Sequence, residues 1–216
     1  MWLLNTILNV LFPVNCLNCK KAGENLCVNC LNASPQAERE SEQWIFPIYD
    51  YRHPPVKKAI WLLKYKGKTK LAHIFAGVLY GRILEELSDL IVFENFRDPV
   101  LVPIPLSKER YKERGYNQTE LICKELIKLD NHTNFALCKN VLVKNKETVR
   151  QAHIKERKDR LKNLVGSFEI INPEPIQNKN IILIDDVTTT GATLKEARVV
   201  LKKAGARKII AFTIAH

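Results

Sequence analysis

Short apolar runs alternate along the chain with segments whose apolar residues recur at helical spacing, and this pattern predicts alternating strands and helices. In most of the strand runs the apolar residues are continuous, as expected for strands that are buried on both faces. The pattern therefore predicts an α/β fold, with a mostly parallel sheet and helices on both of its faces. The predicted strands are WIFPIYDY, VLVPIP, NVLVK, GSFEII, IILIDDV and KIIAFTIA, and the predicted helices are PPVKKAIWLLKYKGK, NQTELICKELIKL and TLKEARVVLKKAG.

The same pattern divides the chain into a small N-terminal piece, residues 1–43, and an α/β domain, residues 44–216. The small piece begins with leucines and isoleucines at helical spacing, so we expect a short amphipathic helix that docks on the body or on a partner. It ends in the polar sequence NASPQAERESEQ, which is typical of a linker.

Four of the six cysteines lie close together near the N-terminus, in the pattern C-x2-C-x7-C-x2-C. Thiolates at this spacing close a tetrahedral zinc site that has no open coordination position, so we predict a structural zinc knuckle. The alternative is a set of reduced, buried thiols. Cys123 and Cys138 stand alone in the sequence, and we expect them to pack in the core. The predicted zinc ligands are Cys16, Cys19, Cys27 and Cys30.

The chain carries a large excess of positive charge. Its 216 residues include 34 Lys and Arg against 23 Asp and Glu, which gives a formal net charge of +11. Such an excess indicates an anionic partner such as phosphates, nucleic acid or an acidic membrane surface, and a merely soluble basic protein is the alternative. The sequence has no apolar run of about 18 residues, so we expect no membrane span. The N-terminal segment lacks the basic start and the cleavage site of a secretion signal, so we expect a cytoplasmic protein.

The stretch IILIDDVTTTGAT joins a predicted strand to two acids and a hydroxyl-rich loop. Asp185 and Asp186 stand where the strand ends, which is the edge of an open parallel sheet where ligands bind. The loop from Thr188 to Thr193 opens a helix. Its backbone N–H groups, its threonine hydroxyls and the close approach that Gly191 allows form a phosphate cradle. Because the acids would repel a phosphate, we expect them to accept hydrogen bonds from ribose hydroxyls, and we infer a ribose 5-phosphate ligand. The alternative is an ordinary strand–turn–helix unit with exposed acids.

The helix that follows this loop has recognisable end signals. Thr193 and Glu196 have the spacing of a capping box, which predicts Thr193 as the N-cap and Glu196 at the third helical position. Gly205 is expected to end the helix.

The stretch IILIDDVTTTGAT resembles the phosphoribosyl-pyrophosphate (PRPP) signature of type I phosphoribosyltransferases. The resemblance implies that Asp185 and Asp186 are the catalytic acids that hold the ribose hydroxyls, and that the loop binds the 5-phosphate. It also implies that Ser107, in the loop after VLVPIP, receives pyrophosphate. Thr188 departs from the pattern, because many transferases carry an aliphatic residue at this position. The loop residues that the resemblance assigns to PRPP are Thr188, Thr189, Thr190, Gly191, Ala192 and Thr193.

Basic residues are further candidates for the PRPP site. Arg110 and Arg114 lie just beyond Ser107, and ordinary surface charge is the alternative for both. Lys64 and Lys66 stand in the stretch LKYKG, for which we expect pyrophosphate binding.

Two basic segments are candidates for binding nucleic acid. From Arg52 to Lys70 the chain has seven basic residues and no acid, with Trp61 and Tyr65 interleaved among them. Aromatic faces stack on bases and lysines neutralise backbone phosphates, although a solvated turn with a buried Trp61 is the alternative. Residues 144–163 are also basic, and we expect a lid over the reacting centre or a track for single-stranded DNA.

The four-cysteine start, the stretch VPIPLSKERYKERGYNQTELICKEL and the later TVRQ resemble the competence protein F family over essentially the whole chain. This resemblance implies a DNA-uptake factor for natural transformation that binds PRPP, together with magnesium, and single-stranded DNA. It implies partners among other competence proteins, such as a DNA helicase or translocase and a recombination mediator. The alternative is a metabolic phosphoribosyltransferase that joins PRPP to a nitrogenous acceptor. Enzyme activity stays open, because no recognisable acceptor-binding loop follows the last predicted strand.

Overall fold

Five parallel strands form the central sheet in the computed structural model, which describes residues 14–38, 42–145 and 166–216. The strand order across the sheet is β1-β7-β6-β2-β3, so β6 lies at the centre and β1 and β3 lie at the edges. This arrangement confirms the predicted α/β fold with a mostly parallel sheet. The strands are β1 (Ile45–Tyr49), β2 (Val100–Pro103), β3 (Ala136–Leu137), β6 (Ile181–Val187) and β7 (Ile209–Ala215).

The helices pack on both faces of this sheet, as the continuous apolar strands predict. In β6, Ile182 and Ile184 belong to one buried cluster, whereas Ile181 and Leu183 belong to the other. Successive side chains of a strand point to opposite faces, so one apolar run supplies both clusters. The helices are α1 (Val28–Asn32), α2 (Pro54–Tyr65), α3 (Lys70–Glu94), α4 (Lys108–Arg114), α5 (Gln118–Asp130) and α6 (Ala192–Lys203), with a short 3₁₀ helix at Glu174–Ile176.

α2, α3 and α5 pack on one face of the sheet, and α6 packs on the other. The long helix α3 is absent from the helices predicted above. Its residues Leu71, Phe75, Leu79, Ile83 and Leu87 are buried and recur every four residues, which places them on one side of the helix. No helix among the described residues is both long enough and apolar enough to cross a membrane.

The predicted strands NVLVK and GSFEII lie outside the central sheet. They form β4 (Leu142–Lys144) and β5 (Phe168–Ile170), which pair with each other in antiparallel register. Leu142 and Phe168 are buried in the same cluster as α6, so this pair covers one face of the sheet rather than extending its edge.

The N-terminal cysteine segment joins the core of the α/β domain. Cys16, Leu26 and Leu31 are fully buried in the same cluster as Phe212 of β7. The backbone also links the two parts, because the N–H of Asp50 donates to the carbonyl oxygen of Pro35 at 2.9 Å.

Candidate functional site

The acid pair lies inside β6 and is buried. Asp185 is 9% exposed and Asp186 is 4% exposed, so the alternative of exposed acids on an ordinary turn does not describe them. The alternation of the strand directs the two carboxylates to different surroundings, and the backbone N–H of Asp186 donates to Oδ1 of Asp185 at 2.8 Å. A buried charge is costly unless other groups compensate it, so the partners of the two acids define the site.

The Asp186 carboxylate is held by two elements on the face of the sheet that carries α2 and α5. Lys64 of α2 places its Nζ 2.7 Å from Oδ1, and Nε2 of Gln118, the first residue of α5, donates to Oδ2 at 2.5 Å. Burial acts to lower the pKa of Lys64, but the charge and hydrogen bond of Asp186 raise it above its ordinary value. Lys64 therefore stays charged, and Asp186 is ion-paired in the free protein.

Asp185 lies in a different electrostatic environment. Burial, followed by the negative charge of Asp186, raises the pKa of the Asp185 carboxyl from 3.8 to about 7, against the opposing effects of the Asp186 N–H and of Lys64 and Lys144. Lys144, at the end of β4, has a lowered pKa because it is partly buried and because Arg110 is near. Lys144 and the Asp185 carboxyl thus influence each other's protonation, although Lys144 was not among the predicted site residues.

The loop after β6 carries the predicted phosphate cradle. Thr188 is buried and its N–H donates to the carbonyl oxygen of Ala215 at 3.0 Å, while Thr189 is exposed. Gly191 has a φ of 69°, and a Cβ at this position would lie 3.2 Å from Cδ1 of Ile45. The loop therefore needs glycine both for its left-handed backbone and for its close packing on β1. The Oγ1 of Thr190 accepts from the N–H of Ala192 at 3.4 Å.

The predicted capping box at the start of α6 is wrong. The helix begins at Ala192 with Gly191 as its N-cap, so Thr193 lies inside the first turn. Glu196 does not reach back along its own helix: its Oε1 accepts from the N–H of Gly166 at 2.6 Å. A tertiary contact with the segment before β5 replaces the local one. The prediction for the other end is confirmed, because the helix ends at Lys203 and Gly205 follows with a φ of 96°.

The loop after β2 brings Ser107 to the same edge of the sheet. Ser107 is buried and is the N-cap of α4, where its Oγ accepts from the N–H of Arg110 at 3.4 Å. Asn117 is the N-cap of α5, and its Nδ2 donates to the carbonyl oxygen of Ile104 at 3.1 Å. The stretch RGYNQ thus ends α4, starts α5 and places Gln118 in contact with Asp186.

One side of α2 presents aromatic rings and cations to solvent. Trp61 is 37% exposed and Tyr65 is 61% exposed, with ring centroids 6.3 Å apart. The Nζ atoms of Lys58 and Lys66 lie 4.1 and 5.4 Å from the Trp61 centroid, and Cζ of Arg114 lies 5.1 Å from the Tyr65 centroid. These distances are in the range of cation–π contacts. We call these five side chains the aromatic face. The structure separates the two predicted lysines, since Lys64 faces Asp186 and Lys66 lies over Trp61.

The four N-terminal cysteines are brought together as a metal site requires. All their Sγ atoms lie within 4.8 Å of one another, and Sγ of Cys27 lies 3.7 Å from Sγ of both Cys16 and Cys19. Zinc–sulfur bonds of ~2.3 Å in a tetrahedron give sulfur–sulfur distances of ~3.8 Å. Burial opposes ionisation of Cys16, but the backbone N–H groups of Cys27, Cys19 and Asn18 lower its pKa to about 6. The donor set therefore fits zinc.

The predicted N-terminal helix and the TVRQ stretch lie outside the described residues. So does most of the predicted lid, residues 146–163.

Removing one cysteine ligand should release the metal. We expect protein purified without chelator to contain one equivalent of zinc, and Cys16→Ser to contain little and to melt at a lower temperature, because metal binding stabilises the folded state. Cys138→Ser, which changes a thiol outside the cluster, is the control and should keep its zinc. Metal analysis that finds no zinc in the unaltered protein would contradict the site.

Replacing Asp185 by Asn should stabilise the protein in a pH-dependent way. The folded pKa lies above the ordinary value, so the folded state holds the proton more tightly and the carboxyl costs stability increasingly as pH rises from about 4 to about 7. Asp185→Asn should therefore raise the free energy of unfolding at pH 8, by about 1.4 kcal/mol for each unit of pKa shift, and have little effect near pH 4. Urea titrations at both pH values measure this, with exposed Asp89→Asn as the control. An equal effect at both pH values would contradict the assignment.

Solved structures that align with part of this chain include hypoxanthine phosphoribosyltransferase from Staphylococcus aureus, which is 14% identical with a TM-score of 0.36 and a match covering 66% of this chain and 61% of that one. The hypoxanthine-guanine phosphoribosyltransferase of L. donovani is 11% identical, with a TM-score of 0.39 and 67% of each chain covered. No protein-family model matches the chain.

Curated relatives align along most of the chain. DNA utilization protein YhgH of Salmonella typhimurium is 27% identical over 190 residues, which cover 85% of this chain and 74% of YhgH. Competence protein ComFC of Bacillus subtilis is 33% identical over 168 residues, or 77% of this chain and 62% of ComFC. Competence protein F of Haemophilus influenzae is 27% identical over 192 residues, or 88% of this chain and 78% of the relative. The chain is therefore a homologue of competence protein F, ComFC and YhgH along most of its length.

Proposed function

We propose that this protein binds PRPP at the carboxyl end of β6 and acts in the uptake and handling of DNA. The observation that carries the first part is the buried acid pair Asp185–Asp186, which stands beside a glycine-containing loop at the start of α6. Paired acids in a strand interior have no packing use, and their burial raises the free energy of the empty site. A ligand that donates hydrogen bonds to both acids explains why the protein keeps them buried.

Each part of PRPP has a matching group in this arrangement. The 5-phosphate fits residues 188–193, where a helix N-terminus, the N–H groups and the threonine hydroxyls meet. In this proposal the ribose hydroxyls donate to the carboxylates of Asp185 and Asp186, and the pyrophosphate is bound by Ser107, Arg110, Arg114 and Lys64. Magnesium would be held mainly by the pyrophosphate oxygens and water, as it is at other sites that bind substrate phosphates.

The aromatic face and the net charge support the second part of the proposal. Exposed Trp61 and Tyr65 offer π-surfaces that stack on bases of any sequence, and Lys58, Lys66 and Arg114 neutralise backbone phosphates. The formal net charge of +11 favours a polyanionic partner. The relatives carry names that refer to competence and to DNA utilization. We therefore propose binding of single-stranded DNA in the cytoplasm, alongside a helicase or translocase and a recombination mediator.

Calorimetry with PRPP and magnesium tests the sugar site. We expect saturable binding with a one-to-one stoichiometry and at least a tenfold loss of affinity in Asp186→Asn, because a neutral amide accepts the ribose hydroxyls less strongly than a carboxylate. Asp89→Asn, an exposed carboxylate on α3, is the matched control and should bind normally.

Unchanged PRPP affinity in Asp186→Asn would contradict the assignment of the acid pair. Release of pyrophosphate on addition of a purine or pyrimidine base, without any binding of DNA, would favour the alternative of a metabolic transferase.

Fluorescence anisotropy with a labelled oligo(dT) tests the aromatic face. We expect binding that weakens steeply between 50 and 200 mM salt, on the order expected for several phosphate contacts. Tyr65→Ala should weaken it by about 1–3 kcal/mol, the usual worth of one stacked base. Phe93→Ala removes an exposed ring at the far end of α3 and is the control. Equal losses in the two variants would argue against the aromatic face as the binding surface.

A further inference from the structure

The acid pair and the aromatic face are joined by two short connections. The first is α2 itself, in which Lys64 pairs with Asp186 and the next residue, Tyr65, belongs to the aromatic face. The hydroxyl of Tyr116 donates to the carbonyl oxygen of Leu63, which ties this turn of α2 to the segment before α5. Lys64 at the acid pair and Tyr65 on the aromatic face are therefore neighbours in the same turn of α2.

The second connection is a relay of side chains. Nε2 of Gln118 donates to Oδ2 of Asp186, and Oε1 of the same amide accepts from Nη1 of Arg114. The Arg114 guanidinium in turn lies over the Tyr65 ring, with Cζ 5.1 Å from the centroid. The two connections close a ring of contacts: Asp186, Lys64, Tyr65, Arg114, Gln118 and back to Asp186.

Both oxygens of Asp186 are already engaged in this ring, one by Lys64 and the other by Gln118. Each oxygen offers about two acceptor positions. A ligand whose hydroxyls donate to this carboxylate must therefore share its oxygens with Lys64 and Gln118, or displace them. A pyrophosphate group next to the acids also attracts Lys64 and Arg114. Occupation of the sugar site therefore acts on the groups that order the aromatic face.

We propose that PRPP and single-stranded DNA bind antagonistically, with Gln118 and Arg114 transmitting the effect. This inference rests on the proposed function of both sites and adds their regulation. Three effects have the same sign: the pyrophosphate draws Arg114 away from Tyr65, it competes with the DNA backbone for the shared cations, and the two polyanions repel each other. The antagonism is reciprocal by linkage, so DNA must weaken PRPP binding by the same factor.

Oligo(dT) anisotropy in the presence and absence of saturating PRPP tests this coupling, with magnesium and ionic strength held constant. We expect PRPP to raise the dissociation constant for the oligonucleotide about fivefold or more, the lower end of common coupling factors. Calorimetric titration of PRPP into the protein–oligonucleotide complex should show the same factor.

The variant Gln118→Met separates the relay from plain charge repulsion. It keeps the side-chain length but removes the hydrogen bonds to Asp186 and Arg114. The part of the coupling that passes through the relay should therefore disappear, while competition for the shared cations and repulsion between the anions remain. Gln177→Met, the same change at an exposed position far from both sites, should keep the full coupling.

The outcomes distinguish this inference from the function on which it rests. If the unaltered protein binds both ligands with affinities that do not depend on each other, the coupling is overturned and the proposed function stands. If Gln118→Met keeps the full antagonism, the relay is overturned. If the protein binds neither PRPP nor the oligonucleotide, the proposed function fails and the inference fails with it.

Discussion

The ion pair between the partly buried Lys64 and the buried Asp186 is the interaction on which the site depends. It joins α2 to the central strand of the sheet, with 2.7 Å between Nζ and Oδ1. Buried ion pairs contribute little net stability compared with apolar residues, because removing two charges from water offsets their attraction. Loss of one partner is costly, however, at about 3–5 kcal/mol, because the other charge is then left unpaired. The pair is therefore better explained as a way to keep a carboxylate buried at the ligand site than as a source of stability.

The position of the acids follows from the way β6 crosses the core. Its first four residues are apolar and pack alternately in two clusters on opposite faces of the sheet. The two acids follow in the same alternation, where the strand leaves these clusters. Asp186 thereby meets Lys64 and Gln118 on one face, and Asp185 comes under the influence of Lys144 on another side. Burial and the neighbouring charge of Asp186 raise the pKa of Asp185, while Asp186 forms an ion pair with Lys64.

The sequence predicts what depends on local pattern. The sheet, the strand before the acids, the end of α6 before Gly205 and the grouping of the four cysteines follow from periodicity, from end signals or from ligand chemistry that neighbouring residues carry. Contacts between residues that lie far apart in the sequence do not follow from such local patterns. Glu196 has the spacing of a capping box but bonds to Gly166, thirty residues earlier in the chain. Gln118 and Asp186 are 68 residues apart, and β4 pairs with β5 across a long insertion, so only the fold brings these partners together. The buried residues of α3 recur every four positions, so the periodicity of its apolar residues is sufficient to predict this helix.

The central claim is that the Asp185–Asp186 pair exchanges its protein donors for the hydroxyls of a sugar phosphate. A crystal structure of the protein grown with PRPP and magnesium tests this most directly. We expect the 5-phosphate on residues 188–193, the ribose hydroxyls within hydrogen-bond distance of both carboxylates, and Lys64 turned towards the pyrophosphate. A ligand bound elsewhere, with Lys64 and Gln118 still on Asp186, would contradict the account.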